Sequence, residues 1–249
     1  MDQQSEQAAA LIQRSERIVA LTGAGISVPS GIPDFRSSSG LWASENPMLV
    51  ASVEGFARDP RQFYRWIGPL LDQVLLAKPN PAHYAFAELE WRGQLRAIIT
   101  QNIDGLHQKA GSHEVFELHG HLRSATCVAC GQRVPSEPLI PQVRQGEVPR
   151  CSCGGAFKPD LVLFGDSLPM GLYWLAIEAL HQCDLLIVAG TSLEVAPVSE
   201  MPLEALRRGA KVIQINKSPT YLDASATITL AGDVAEILPR LVRRAGAIG

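Results

Sequence analysis

This sequence predicts an α/β fold: a parallel sheet covered by helices on both faces, with a small metal-holding insert. Three observations lead there. Short apolar runs with strand character alternate with longer helical stretches, the pattern of a parallel sheet joined by crossover helices. Four of those runs end in small or polar residues: T-G-A-G near 22, T-Q-N-I-D near 100, G-T-S near 190 and N-K-S near 216. Four cysteines fall in two tight pairs within one stretch rich in proline and glycine.

Taken in order, residues 3–16 read as a helix, and R-I-V-A-L at 17–21 is a short apolar strand. Residues 56–76 and 80–92 are helical by periodicity, separated by the K-P-N-P breaker at 78–81. Leu95 to Thr100 is a second strand, 104–110 suits a short helix stopped by Gly111, and Val115 to Leu118 is a third strand. The cysteine segment covers about 121–158. L-V-L-F follows at 161–164, then a helix at 171–182 and the strand D-L-L-I-V-A at 184–189. A helix at 197–208, strands at 211–216 and 227–230 and a helix at 233–244 close the chain.

Composition narrows the class. The chain has 249 residues, 46% hydrophobic and 19% charged, enough for one large domain or one domain with an insert. No apolar run approaches the ~18 residues of a membrane helix. The N-terminal MDQQSEQ is polar and does not read as a secretory signal, so a cytoplasmic protein is expected, without membrane attachment. A net charge of −3 argues against a wide basic surface, and no direct nucleic-acid binding is expected.

In an open parallel sheet, ligands bind beyond the carboxyl ends of the strands, so the four polar ends suggest one cleft, with a nucleotide its usual occupant. Gly23 and Gly25 form G-x-G directly after a strand, but Val28 stands where a dehydrogenase fingerprint wants a third small residue. The expected acidic residue on a second strand is also missing. Free amides in such a turn suit a pyrophosphate. A tight strand-to-helix turn without a ligand explains the motif equally well.

Cys127, Cys130, Cys151 and Cys153 form C-V-A-C and C-S-C. Two such pairs complete a tetrahedral zinc shell, and a shell closed by four protein ligands is structural rather than catalytic. The alternative is four reduced thiols in a core. Cys183, alone before an apolar strand, reads as core.

T-G-A-G-I-S-V-P-S-G-I-P-D-F-R at 22–36, T-Q-N-I-D-G-L-H at 100–107 and E-L-H-G at 117–120 resemble the motifs of the sirtuins, NAD-dependent protein lysine deacylases, in their bacterial-type short form. The paired cysteines, F-G-D at 164–166, G-T-S at 190–192 and Asn216 follow in the family's order. The resemblance implies a Rossmann-like domain (1–34, 77–120 and 159–249), a cofactor loop and helical module (35–76) and a zinc-ribbon-like module (121–158).

It also implies roles. Gly23, Ala24, Gly25 and Ser27 would line the phosphate and ribose site, with Asp34, Phe35 and Arg36 in the cofactor loop. Gln101, Asn102, Ile103 and Asp104 would bound the nicotinamide pocket. Gly190, Thr191, Ser192, Asn216, Lys217 and Val234 would hold the adenosine half. Val162, Leu163, Phe164, Gly165, Glu194 and Val195 would meet the acyl-lysine peptide, which is expected to add as a strand between 163–166 and 193–196. His119, with Asn102, would be catalytic. A histidine titrates near neutral pH and suits removal of a ribose hydroxyl proton.

NAD would be consumed: an acetyl group would pass from a protein lysine to ADP-ribose, releasing nicotinamide. The alternatives kept beside this deacetylase reading are a mono-ADP-ribosyltransferase and a longer-chain deacylase on the same NAD site. His121 reads as a surface or hinge residue and His107 as a packed histidine with one hydrogen bond. Sirtuins that prefer succinyl groups carry Tyr-x-x-Arg beside the acyl channel; here the stretch is Tyr64-Arg65-Trp66-Ile67, so acetyl is expected over succinyl.

Overall fold

The structure is a computed structural model that describes residues 3–34, 40 and 46–247. Along the chain run α1 (Gln3–Arg14), β1 (Ile18–Thr22), α2 (Pro47–Val50), α3 (Val53–Arg58), α4 (Pro60–Leu76), α5 (Pro81–Trp91) and β2 (Leu95–Thr100). Then come α6 (Leu106–Lys109), β3 (Val115–Glu117), β4 (Gly120–Cys127), β5 (Arg133–Pro135), α7 (Ile140–Arg144) and β6 (Phe157–Leu161). The remainder is α8 (Met170–Gln182), β7 (Leu185–Ala189), α9 (Met201–Arg207), β8 (Lys211–Asn216), β9 (Ile228–Ala231) and α10 (Val234–Ala247).

Six strands form one parallel sheet in the order β3-β2-β1-β7-β8-β9. Every residue of β1 and of β7 is buried, because helices cover both faces. On one face Ile12 of α1, Phe86 of α5 and Leu238 of α10 pack against Ile18, Ala20 and Ile187. On the other, Ala176 and Leu180 of α8 and Ala205 of α9 meet Val19, Leu21 and Val188. The chain leaves β1 for β2 in one direction and returns to β7 on its other side. The sheet therefore reverses its winding between β1 and β7, and the turns after these strands splay apart to leave a crevice.

Two smaller units sit above that crevice. β4, β5 and β6 make an antiparallel sheet in the order β5-β4-β6, with Ala125, Cys127, Cys151 and Phe157 as a small core. The α2–α4 segment packs Phe56, Phe63, Tyr64 and Ile67 against Leu122, Val143 and Leu161. Periodicity alone runs one helix through 56–76, but the structure divides it at Asp59. That side chain caps α4 by accepting the N–H groups of Arg61 (3.0 Å) and Gln62 (3.3 Å), and Pro60 fills the first helical position. The stretch expected as one helix at 197–208 opens with a 3-10 turn at Val198–Glu200, and its α-helical part is α9.

Candidate active site

A cavity of about 630 Å3 opens over the carboxyl ends of β1, β2, β7 and β8. Gly23, Ala24, Gly25, Asp34, Gln101, Asn102, Ile103, Gly190, Thr191, Ser192, Asn216, Lys217 and Val234 line it. So do Val162, Leu163, Phe164, Gly165, Glu194, Val195 and His119. Residues the sequence reading did not name also line it, among them Leu161, Leu168, Pro219 and Gly232; each lies within a few positions of a named motif residue. The expectations for Phe35 and Arg36 fall outside the described residues.

The glycine turn works by packing. The N–H of Gly25 donates to the Gly190 carbonyl at 2.8 Å, and that of Gly23 to the Ala189 carbonyl at 3.4 Å. The N–H groups of Ile26 and Ser27 return to Gly23 and Ala24. These four amides are engaged within the two turns. A Cβ on Gly25 would stand 2.8 Å from the Gly190 oxygen, and one on Gly23 would stand 2.7 Å from the Thr191 Cβ. Glycine lets the turns after β1 and β7 touch, and that contact shapes the crevice wall.

Opposite, Gln101 Nε2 donates to Thr191 Oγ1 at 2.9 Å, and Asn216 Nδ2 donates to the Thr191 carbonyl at 2.8 Å. The ends of β2, β7 and β8 are thereby tied together. Lys217 pairs with Asp233 at 2.8 Å, and Asp233 caps α10 through the Ala235 N–H. Two of the expected cofactor residues, Ser27 and Asp104, stand outside the lining. Both are buried: the Ser27 hydroxyl donates to Asp104 Oδ2 at 2.7 Å and accepts from Asn102 Nδ2 at 3.1 Å. They act on the cavity through Asn102. Burial raises the Asp104 carboxyl above its ordinary range, against the hydrogen bonds from Leu106 N–H and Ser27.

His119 ends the β3 segment beside Gln101. Burial lowers its pKa, while a hydrogen bond with the Gln101 backbone partly restores it. The ring is therefore held neutral and fixed in place, with the base form available at neutral pH. His121 is absent from the lining; its Nε2 lies 3.4 Å from Arg133 Nη2.

From the helical module, Trp66 and Ile67 form the apolar side of the cavity near Phe164. Arg61 and Arg65 are exposed to solvent and absent from the lining, so the cavity receives no cation from that segment. Tyr64 is buried away from it and donates to the Phe157 carbonyl at 2.7 Å.

The 163–166 stretch offers a peptide less than a full strand. The Phe164 N–H donates to Ala51 and its carbonyl accepts from Val53, both at 2.9 Å. Leu163 N–H and Asp166 N–H are engaged within the turn. Lys158 Nζ braces the turn through Asp166 at 2.7 Å and the Leu161 carbonyl at 3.0 Å. Among the described residues of this stretch, Gly165 alone keeps both backbone groups out of intramolecular bonding. Across the cleft, Leu193 is buried at a left-handed φ of 55°, a strained conformation for a branched residue.

The four cysteine thiolate positions converge in the antiparallel module. Their ligand atoms lie within 4.8 Å of one another, with Cys127 and Cys153 sulfurs 3.5 Å apart and Cys130 and Cys151 sulfurs 3.7 Å apart. A tetrahedral zinc with ~2.3 Å bonds to sulfur sets its ligands about 3.8 Å apart. None of the four is in a disulfide. The backbone N–H groups of Cys130 and Ala129 point at Cys127 and hold its thiol down at about 7. A Cβ on Gly155 would stand 2.6 Å from the Cys127 sulfur, so this turn needs glycine. The donor set fits a structural zinc ion.

The model of the Sir2 family matches residues 23–197. The NAD-dependent protein deacylase 2 of Archaeoglobus fulgidus is 44% identical over 97% of this chain and 96% of its own. A solved structure described as the basis for the mechanism and regulation of Sir2 enzymes is 42% identical, with a TM-score of 0.95 and full coverage of both chains (100% each). A Sir2 variant solved with a deacetylated p53 peptide and 3′-O-acetyl-ADP-ribose is 38% identical, with a TM-score of 0.90 and 98% of each chain covered.

Proposed function

The chain belongs to the Sir2 family, and from that premise we propose that it is an NAD-dependent protein lysine deacetylase. It removes acetyl groups from lysine side chains of proteins or peptides and yields nicotinamide, O-acetyl-ADP-ribose and free lysine. The observation that carries this reading is the position of His119. A neutral, backbone-tethered imidazole sits where the polar strand ends and the apolar Trp66–Ile67–Phe164 wall share one cavity.

NAD held in this cavity would supply the ribose carbon that receives the acyl oxygen and would give up its nicotinamide. The protein's residues set up that event and complete it. Gly23, Ala24, Gly25, Gly190, Thr191, Ser192, Asn216, Lys217 and Val234 hold the dinucleotide along the strand ends. Asp34 lines the cavity, and NAD contact is assigned to Phe35 and Arg36 as well. Gln101, Asn102 and Ile103 bound the nicotinamide end, with Ser27 and Asp104 buttressing Asn102. His119 takes the proton from a ribose hydroxyl; its lowered pKa keeps it unprotonated for that step. Val162, Leu163 and Phe164 enclose the lysine chain, and the peptide backbone docks at Gly165 and along Glu194–Val195. Cys127, Cys130, Cys151 and Cys153, none of which lines the cavity, hold zinc, and the metal serves to fold its module.

On this reading the NAD-binding body is 1–34, 77–120 and 159–249, the cofactor loop and helical module 35–76, and the zinc module 121–158. Cytoplasmic residence belongs to the same proposal. Four clustered reduced thiols suit a reducing compartment, and no described helix is long and apolar enough to cross a membrane.

The test is mass spectrometry of an acetyl-lysine peptide incubated with the protein, with and without NAD, beside His119→Ala. The expected result is NAD-dependent loss of acetyl, its recovery on ADP-ribose, and abolition in the variant. A mass gain of ADP-ribose on protein without acetyl loss would replace the deacetylase by a transferase.

A further inference from the structure

Under the cavity floor lies a set of buried polar groups that the reaction leaves unused. His83 is 0% exposed and His107 1%, and their ring centroids are 4.9 Å apart. His83 Nδ1 accepts the backbone N–H of Asn80 at 3.3 Å, which places the proton of the neutral ring on Nε2. That Nε2 is buried without a partner in the protein, and so is Nδ1 of His107. His107 Nε2 lies 3.0 Å from Thr22 Oγ1.

The rings are neighbours, but neither unpartnered nitrogen is hydrogen-bonded to the other, so the tautomer of His107 is set from its other side. A proton on Nε2 makes that nitrogen a donor to Thr22. The Thr22 hydroxyl then donates to Thr100 Oγ1 at 2.9 Å, which also accepts the Asn102 N–H at 3.1 Å. Asn102 Nδ2 in turn donates to Ser27. The circuit returns through Asn80, whose Nδ2 donates to the Ile26 carbonyl at 2.7 Å and to Ser30 Oγ at 2.9 Å, on either side of Ser27.

We propose that His107, through Thr22 and Thr100, and His83, through Asn80, are neutral Nε2–H imidazoles that fix Asn102 and Ser27 beneath the nicotinamide end of the cavity. Both are positioning residues for cleavage of NAD. The proposal rests on the NAD-dependent reading of the cavity above. Burial agrees with it, since it lowers the pKa of His83 to about 4 and that of His107 well below the ordinary range. His107 is the packed histidine with one hydrogen bond that the sequence suggests, and that bond joins it to the strand ends that line the site.

Long-range proton–nitrogen spectra of the imidazoles in the wild-type chain at pH 7 test the pair without any variant. Both rings are expected as neutral Nε2–H tautomers; an Nδ1–H or imidazolium form of either overturns the proposal. Kinetics test the positioning. His107→Phe is expected to lower kcat/KM for NAD roughly ten- to a hundred-fold, the effect of leaving one buried partner unsatisfied. Acetyl-peptide affinity is expected to stay unchanged. His107→Gln, whose amide N–H reaches the place of Nε2–H, is expected to recover most of the loss, and His107→Asn is not. Wild-type efficiency in His107→Phe, or equal losses in the Gln and Asn variants, overturns it. Failure of the wild-type chain to deacetylate with NAD would strike the functional reading instead, and the tautomers would still decide the histidine pair.

Discussion

Acidification should unfold this protein through His83. Unfolded, the ring titrates near its ordinary ~6.5; folded, burial lowers it to about 4. Above pH 6.5 neither state is protonated, and the group adds nothing to the pH dependence. Below it the unfolded chain takes up the proton first, so stability falls with pH until the folded ring also titrates near 4. The two values give a loss of about 2 kcal/mol between pH 7 and pH 5, rising to about 3 kcal/mol at pH 4. Asp104 works in the opposite sense, since its raised pKa lets the folded state gain protons early. A difference measurement removes it. His83→Asn keeps an acceptor for the Asn80 N–H but cannot titrate, so its stability should depend less on pH. Urea unfolding of both chains at pH 7 and pH 5 should show the pH-dependent loss smaller in the variant by about 2 kcal/mol. Equal losses in the two proteins would refute a neutral buried His83.

Three further outcomes follow from the site. Removing zinc with a chelator, or replacing Cys130 by Ser, should melt the β4–β6 module and abolish deacetylation; metal analysis should find one zinc per active chain. Ile67→Arg places a cation on the apolar wall, so desuccinylation should rise relative to deacetylation by roughly ten-fold or more in paired kinetic assays. Gly190→Ala adds a Cβ 2.3 Å from the Ile26 nitrogen at a residue with φ of 62°. Left-handed strain of ~1–2 kcal/mol and loss of the Gly25 N–H bond, ~1 kcal/mol, should together lower the melting temperature and weaken NAD binding in calorimetry.

The strands were legible because burial on both faces leaves its mark residue by residue: Ile18–Thr22 and Leu185–Ala189 are wholly buried, so almost no polar residue is tolerated. The polar strand ends located the cavity for the same reason, since side chains turn toward solvent or ligand only past the sheet's edge. The break between α3 and α4 was harder to see, because apolar periodicity continues across Asp59 and only the Asp-Pro cap interrupts it. Ser27 and Asp104 could be assigned to the site but not to its second layer. Which of two neighbouring polar residues faces the cavity depends on the Ser27–Asn102 contact, made across 75 positions of chain. The pairing of His83 with His107 has no local signal at all, because each ring is explained by its own helix until the fold brings them together.

The glycine-rich turn shows that a motif at a ligand cavity can also encode packing. The Gly23 and Gly25 amides close the turns after β1 and β7 on each other, so the pattern encodes an approach of two backbones. The peptide side follows the same logic. Phe164 gives its backbone to Ala51 and Val53, which ties the 163–166 turn to the helical module that also supplies Trp66 and Ile67. The apolar wall of the cavity and this turn are therefore held in one hydrogen-bonded frame. Gly165, next to that tie, is held at a φ of 91° that few other residues adopt, so a side chain there would strain the same frame.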